Sequence, residues 1–135
     1  MARDPDRLIF ISHAASDSSF AQALSKALSA RGLHAWAPEK LNGGHQTAEK
    51  IGKALRAATW YVVLISESAL SSPNVNFEIG AALAAQKKLL PVFLSKRAKR
   101  KALALLKRMR GIVAEGLSPK DISDRVAQAI EKEAA

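Results

Sequence analysis

Two acidic residues follow the most apolar stretch of the chain, Glu67 and Glu78, and they are the side chains best placed to do chemistry. Glu67 directly succeeds the run Trp60 to Ser66 and reads as a surface turn residue. Glu78 falls near the start of a helix expected from about Val75 to Lys88, where a carboxylate either serves a pocket or complements the helix dipole. His13, His34 and His45 sit on separate segments without metal-ligand spacing, so no metal site is expected. The chain has no cysteine, which excludes thiol nucleophiles, disulfides and zinc-thiolate centres. It also lacks a GxxxxGK[ST] phosphate loop, a GxGxxG turn and a GxSxG elbow. A receiver domain would need acids after its first and third strands, where this chain has Ser12-His13 and Ser66-Glu67.

The elements that must position these residues alternate along the chain. Arg7 to Ser12 reads as a buried strand, followed by a helix capped by Ser16 or Asp17, running to Arg31 and stopped by Gly32. Leu33 to Ala37 is a short second strand ended by Pro38. A polar loop, Glu39 to Gln46, precedes a helix from Thr47 to Ala58. Trp60 to Ser66 is apolar enough to lie centrally, covered on both faces. Leu89 to Leu94 gives a fourth strand, a basic helix spans about Lys99 to Arg110, and Gly111 to Ala114 a fifth strand. Ser118-Pro119 opens a final helix with Ile122, Val126, Ala129 and Ile130 inward.

Five strands alternating with five helices imply an α/β, flavodoxin-like three-layer sandwich: a five-stranded parallel sheet of order 2-1-3-4-5 with helices on both faces. At 135 residues the chain is expected to be a single domain, 1-135. Ligands of such sheets sit beyond the carboxyl ends of the strands, which directs attention to Ser12–Asp17, Ala37–Gly44 and Ser66–Glu78.

Charge and hydropathy bound the partners. No apolar run spans a bilayer and the opening Met-Ala-Arg-Asp-Pro-Asp-Arg is no secretory signal, so a cytoplasmic protein without membrane contact is expected. The net charge of +9 is concentrated: Lys96 to Arg110 holds eight cations and no acid. No aromatic residue interleaves them to stack on bases, so the stretch reads as a solvated face rather than a nucleic-acid site.

Several segments resemble the bacterial TIR (Toll/interleukin-1 receptor) domain. Phe10-Ile11-Ser12-His13-Ala14-Ala15-Ser16-Asp17 is similar to the family's first-strand motif FISHxxxD, and Leu41-Asn42-Gly43-Gly44 to the tip of its BB loop. Val63-Leu64-Ile65-Ser66 with Leu70-Ser71-Ser72, and Phe77-Glu78-Ile79-Gly80 with Leu90-Pro91-Val92, match later segments in order, so the likeness covers about residues 7 to 95.

The resemblance implies one of two roles. One is an NAD+ glycohydrolase or cyclase of bacterial immunity (antiphage defence), with Glu78 catalytic, NAD+ as substrate and no cofactor. The other is a non-enzymatic scaffold that mediates TIR–TIR contacts. A nucleoside deoxyribosyltransferase-like enzyme is a third alternative, against which the FISH and BB-loop matches argue. In the enzymatic role Phe10, Ser12, His13, Ala37, Pro38, Lys40 and Asn74 are candidates to bind substrate, while Leu41, Asn42, Gly43 and Gly44 would join protomers in a homo-oligomer or filament. Phe10 reads equally as core, His13 as a partner for a loop carbonyl, and Trp36 and Trp60 as packing. Asn74 departs from the family, whose catalytic members often carry tryptophan four residues before the glutamate; Asn74 could cap the helix instead. The short chain carries no sensor, so a separate partner subunit is expected.

Overall fold

The computed structural model describes residues 8–38 and 48–134. Its five strands are β1 Leu8–Ser12, β2 His34–Trp36, β3 Ala58–Ile65, β4 Lys88–Phe93 and β5 Ile112–Val113. They form one parallel sheet in the order β2-β1-β3-β4-β5, as the alternation of elements required. The helices are α1 Ser18–Ala30, α2 Ala48–Ala57, α3 Glu67–Leu70, α4 Pro73–Ala84, α5 Lys96–Lys101, α6 Ala104–Arg108 and α7 Pro119–Ala134.

Period two in the strands divides the core. Ile9, Ile11, Val62, Leu64 and Val92 face one side, against α1 and α7, where Leu24, Leu28, Ile122, Val126 and Ile130 close the layer. Phe10 and Tyr61 point to the other side with Leu55 of α2 and Ala82 of α4. Val63, Ile65 and Phe93 continue that layer against Val75, Ile79, Ala98 and Leu106. Burying both faces of β3 in this way explains its almost unbroken apolar run.

Several local expectations change. Neither Ser16 nor Asp17 caps α1: a 3-10 turn, Ala15–Asp17, precedes it, and the Asp17 carboxylate accepts the Ser66 hydroxyl instead. Ala58 leaves the helix and opens β3, because it pairs with Leu8 across a register shift between Leu8 and Ile9. The polar stretch after β3 is not a loop. Ser66 caps α3 by accepting from Ala69 N at 3.1 Å, and Ser72 caps α4 by accepting from Val75 N at 3.3 Å, with Pro73 opening the helix. Asn74 therefore caps nothing; it is an exposed residue in the first turn of α4. The basic helix is two short ones, broken where Ala102 turns extended (φ −70°, ψ 159°). Among the described residues there are thus seven helices where five were expected.

Pro91 lies in the middle of β4, pairing with Val63, yet the ladder to β5 begins only at Val92 with Ile112. The proline thus occupies a position where no β5 residue has begun to pair, which is where a residue lacking an N–H is tolerated. Gly111 lies at that approach: a Cβ on it would meet the Pro91 carbonyl oxygen at 2.8 Å and the Phe93 ring at 3.1 Å. Gly111→Ala should destabilise the domain by about 1–3 kcal/mol, read as a lowered thermal midpoint. An unchanged midpoint would show that β5 can shift outward freely.

Candidate functional site

The carboxyl end of β1 meets α4, and the end of β2 is tied to it through His13. Ser12 is the last residue of β1 and fully buried; its hydroxyl donates to Glu78 Oε1 at 2.6 Å. Glu78 lies in the second turn of α4, turned inward and only 2% exposed. Its burial follows from helix periodicity: Val75, Ile79 and Ala82 share the inward face, and Glu78 is the polar member of that stripe. A buried carboxylate needs hydrogen-bond partners to offset its desolvation, and Ser12 supplies one across 66 residues of chain.

His13 continues from β1 and ties the two loops together. Its Nδ1 lies 2.9 Å from the Ala14 carbonyl oxygen and its Nε2 2.9 Å from that of Pro38, so the fully buried ring bridges the ends of β1 and β2. This matches the expectation of a histidine bonded to a loop carbonyl. Ala37 is also buried, and its carbonyl accepts from Gln22 Nε2 at 2.9 Å, which locks the end of the edge strand to α1. Ser66, at the end of β3, holds Asp17 and so joins the third carboxyl end to the same edge.

Beneath Ser12 lies an aromatic stack. Phe10 and Tyr61 are 5.5 Å apart between ring centroids at 28°, and Trp36 meets Phe10 edge-on at 5.7 Å and 73°. Phe10 has no exposed surface, so it supports the site from below and offers no wall to a ligand. Trp36 and Trp60 pack, as expected. Tyr61 was not singled out in the sequence, where it is one letter within an apolar strand. The available signal was its place on the same sheet face as Phe10. Its hydroxyl donates to the Leu55 carbonyl.

Burial first, and the Glu78 carboxylate second, push the Tyr61 phenol up from 10.0 to about 12. A raised pKa means the folded protein holds the phenolic proton more tightly than the unfolded chain. That stabilisation is complete below pH 10 and disappears as pH climbs through about 12. Denaturant midpoints measured across this window should fall more steeply for the native chain than for Tyr61→Phe. Parallel curves would disprove the coupling.

Lys40, Leu41, Asn42, Gly43 and Gly44 lie outside the described residues. Glu67 is not part of the site: it stands exposed at the start of α3, paired with Arg97 at 3.0 Å and Lys101 at 3.4 Å. Asn74 is likewise exposed, in the first turn of α4, whereas Ser12 and His13 are fully buried. The basic stretch is similarly dispersed, since Lys99 rests 5.7 Å from the Phe93 ring centroid while Arg97 and Lys101 serve Glu67. Among the described residues no helix is long and apolar enough to cross a membrane.

A doubly wound parallel sheet with a buried carboxylate where its strand order reverses defines a flavodoxin-like α/β domain with its site at the carboxyl edge. The chain belongs to the TIR domain family, whose model matches residues 9–133. Solved structures agree in fold. The TIR domain of the Toll-related receptor TRR-2 from Hydra magnipapillata is 14% identical, with 96% of this chain and 98% of that chain covered and a TM-score of 0.70. The TIR domains of the activated Roq1 resistosome, which directly recognizes the pathogen effector XopQ, are 20% identical, with 91% and 71% covered and a TM-score of 0.56. No curated protein matches the chain.

Proposed function

We propose that this TIR domain cleaves the nicotinamide–ribose bond of NAD+ with Glu78 as its catalytic carboxylate, acts when its protomers assemble, and serves immune signalling. The observation that carries the reading is the Glu78 carboxylate held by the Ser12 hydroxyl at 2.6 Å at the carboxyl edge of the sheet. The chemistry asks for little more. Breaking an N-glycosidic bond builds positive charge on the ribose, and a carboxylate opposite that charge stabilises it electrostatically or traps it covalently. Nicotinamide leaves as a neutral base carrying the bonding electron pair, so no general acid is required. Water or a nucleophile within the substrate then completes hydrolysis or cyclisation.

Ser12 is a positioning residue in this scheme, fixing one carboxylate oxygen while the other remains for its own contacts. His13 sets the distance between the β1 and β2 ends through Pro38. Assembly is supported by the large apolar side chains left exposed on the α4 and α6 side, Phe77 at 66% and Leu103 at 65%. One structural relative was solved as the TIR domains of an activated resistosome, which makes the assembled state the one to assay.

The test is nicotinamide release from NAD+, followed by chromatography across a series of protein concentrations. Specific activity should rise with concentration as sedimentation reports assembly. The scaffold reading, favoured by Asn74 in place of an aromatic residue, gives assembly with no NAD+ loss at any concentration. That outcome would end the enzymatic proposal.

A further inference from the structure

The opposite edge of the sheet carries a concavity of about 590 Å³, within the roughly 300–1,000 Å³ typical of small-molecule sites. Its floor is apolar, formed by Trp60, Leu89, Leu90 and Ile112 near the amino ends of β3, β4 and β5. Five cations line it: Lys87, Lys88, Arg110, Arg125 and Lys132. No acidic side chain does so among the described residues.

We propose that this cavity is a binding site for a condensed phosphate, either inorganic or the oligophosphate of a nucleotide, separate from the Glu78 site. The site is built by convergence. Lys87 and Lys88 come from the entry to β4, Arg110 from the approach to β5, and Arg125 and Lys132 from α7, about two turns apart on one face. Lys87 is held in place by donating its Nζ to the Arg56 carbonyl at 3.0 Å, and Lys88 by resting 5.4 Å from the Trp60 ring centroid. Arg110, Arg125 and Lys132 make no ion pair among the described residues.

Lys88, Arg110, Arg125 and Lys132 are as exposed as Arg97 and Lys101, but the charge of the latter two is already met by Glu67. Like charges gathered in one concavity repel. A multivalent anion relieves several of those repulsions at once, whereas a single carboxylate relieves fewer. Guanidinium forks add paired donors suited to phosphate oxygens, which Arg110 brings from the connection before β5 and Arg125 from α7.

Calorimetric titration of the full chain with inorganic tripolyphosphate, and in parallel with adenosine triphosphate, tests the site. One equivalent of tripolyphosphate should bind, more weakly as salt is raised. Arg110→Gln with Arg125→Gln should weaken it about 100-fold, and Lys132→Gln alone about 10-fold. The control pair Arg97→Gln with Lys101→Gln should leave it unchanged, provided circular dichroism shows every variant folded. Tighter binding of the nucleotide would assign the natural ligand to that source, and equal binding would assign recognition to the phosphates alone. More than one equivalent bound, or equal losses in the cavity and control pairs, would overturn the proposal. So would a cavity pair that changes only self-association, since the cavity would then receive another copy of the chain. None of these readouts depends on NAD+ cleavage, so the failure of one proposal leaves the other standing.

Discussion

Glu78→Gln should reduce nicotinamide release by about 1,000-fold or more at every protein concentration, leaving the melting temperature and the assembly curve nearly where they were. The amide is isosteric and keeps an oxygen able to accept the Ser12 hydroxyl at the 2.6 Å contact, so packing on the inward face of α4 survives. What it lacks is the capacity to carry negative charge against a ribose that is becoming a cation. Ser12→Ala probes the same step from the other side. Losing a hydrogen bond to a carboxylate costs roughly 10- to 100-fold, and the loss should fall on kcat with KM little changed, because Ser12 aligns the carboxylate without gripping the substrate. If Glu78→Gln retains native turnover while folded, the carboxylate is a structural anchor for β1 and some other group does the chemistry. If Ser12→Ala raises KM alone, Ser12 touches NAD+ and its positioning role is wrong.

Much of this arrangement could be read before any coordinates, and the parts that could not have physical reasons. The strand order followed from right-handed crossovers and from the apolar run Trp60–Ile65, which only a central strand explains. That Ser12, His13 and Glu78 belong to one edge followed from topology alone. The contact between Ser12 and Glu78 did not, because a hydrogen bond across 66 residues depends on the rotation of α4 about its axis. That rotation is set by the start of the helix. Asn74 is the cap the residue types suggest, but Pro73 gives that place to Ser72, since proline suits the first turn and leaves the preceding serine outside it.

The other misreadings share a cause. A four-residue helix such as α3 has no period to detect, only the Ser66 cap. The break between α5 and α6 leaves no glycine or proline to mark it; it shows only in the extended backbone at Ala102. Aromatic contacts were equally hidden. Phe10, Trp36 and Tyr61 lie on three strands, and their stacking exists only once those strands are in register.

That stack bears the second large effect. Phe10→Ala should destabilise the domain by about 3–5 kcal/mol, as a loss of denaturant midpoint at constant slope. The ring has no exposed surface, and removing it leaves a hollow bordered by Trp36 and Tyr61, neither of which can slide across without leaving its own strand. Against a total of about 5–15 kcal/mol for an ordinary domain, such a loss would leave the chain close to unfolding at body temperature. Activity in Phe10→Ala would therefore fall with the folded fraction and say nothing about catalysis. Phe10→Leu separates the two roles, because leucine refills most of the hollow and should cost under about 1.5 kcal/mol. If Phe10 only supports Ser12 from beneath, Phe10→Leu turns over NAD+ with an unaltered KM. A folded Phe10→Leu with a KM raised tenfold would instead put that ring against the substrate, and the floor of the site would have to open when NAD+ enters.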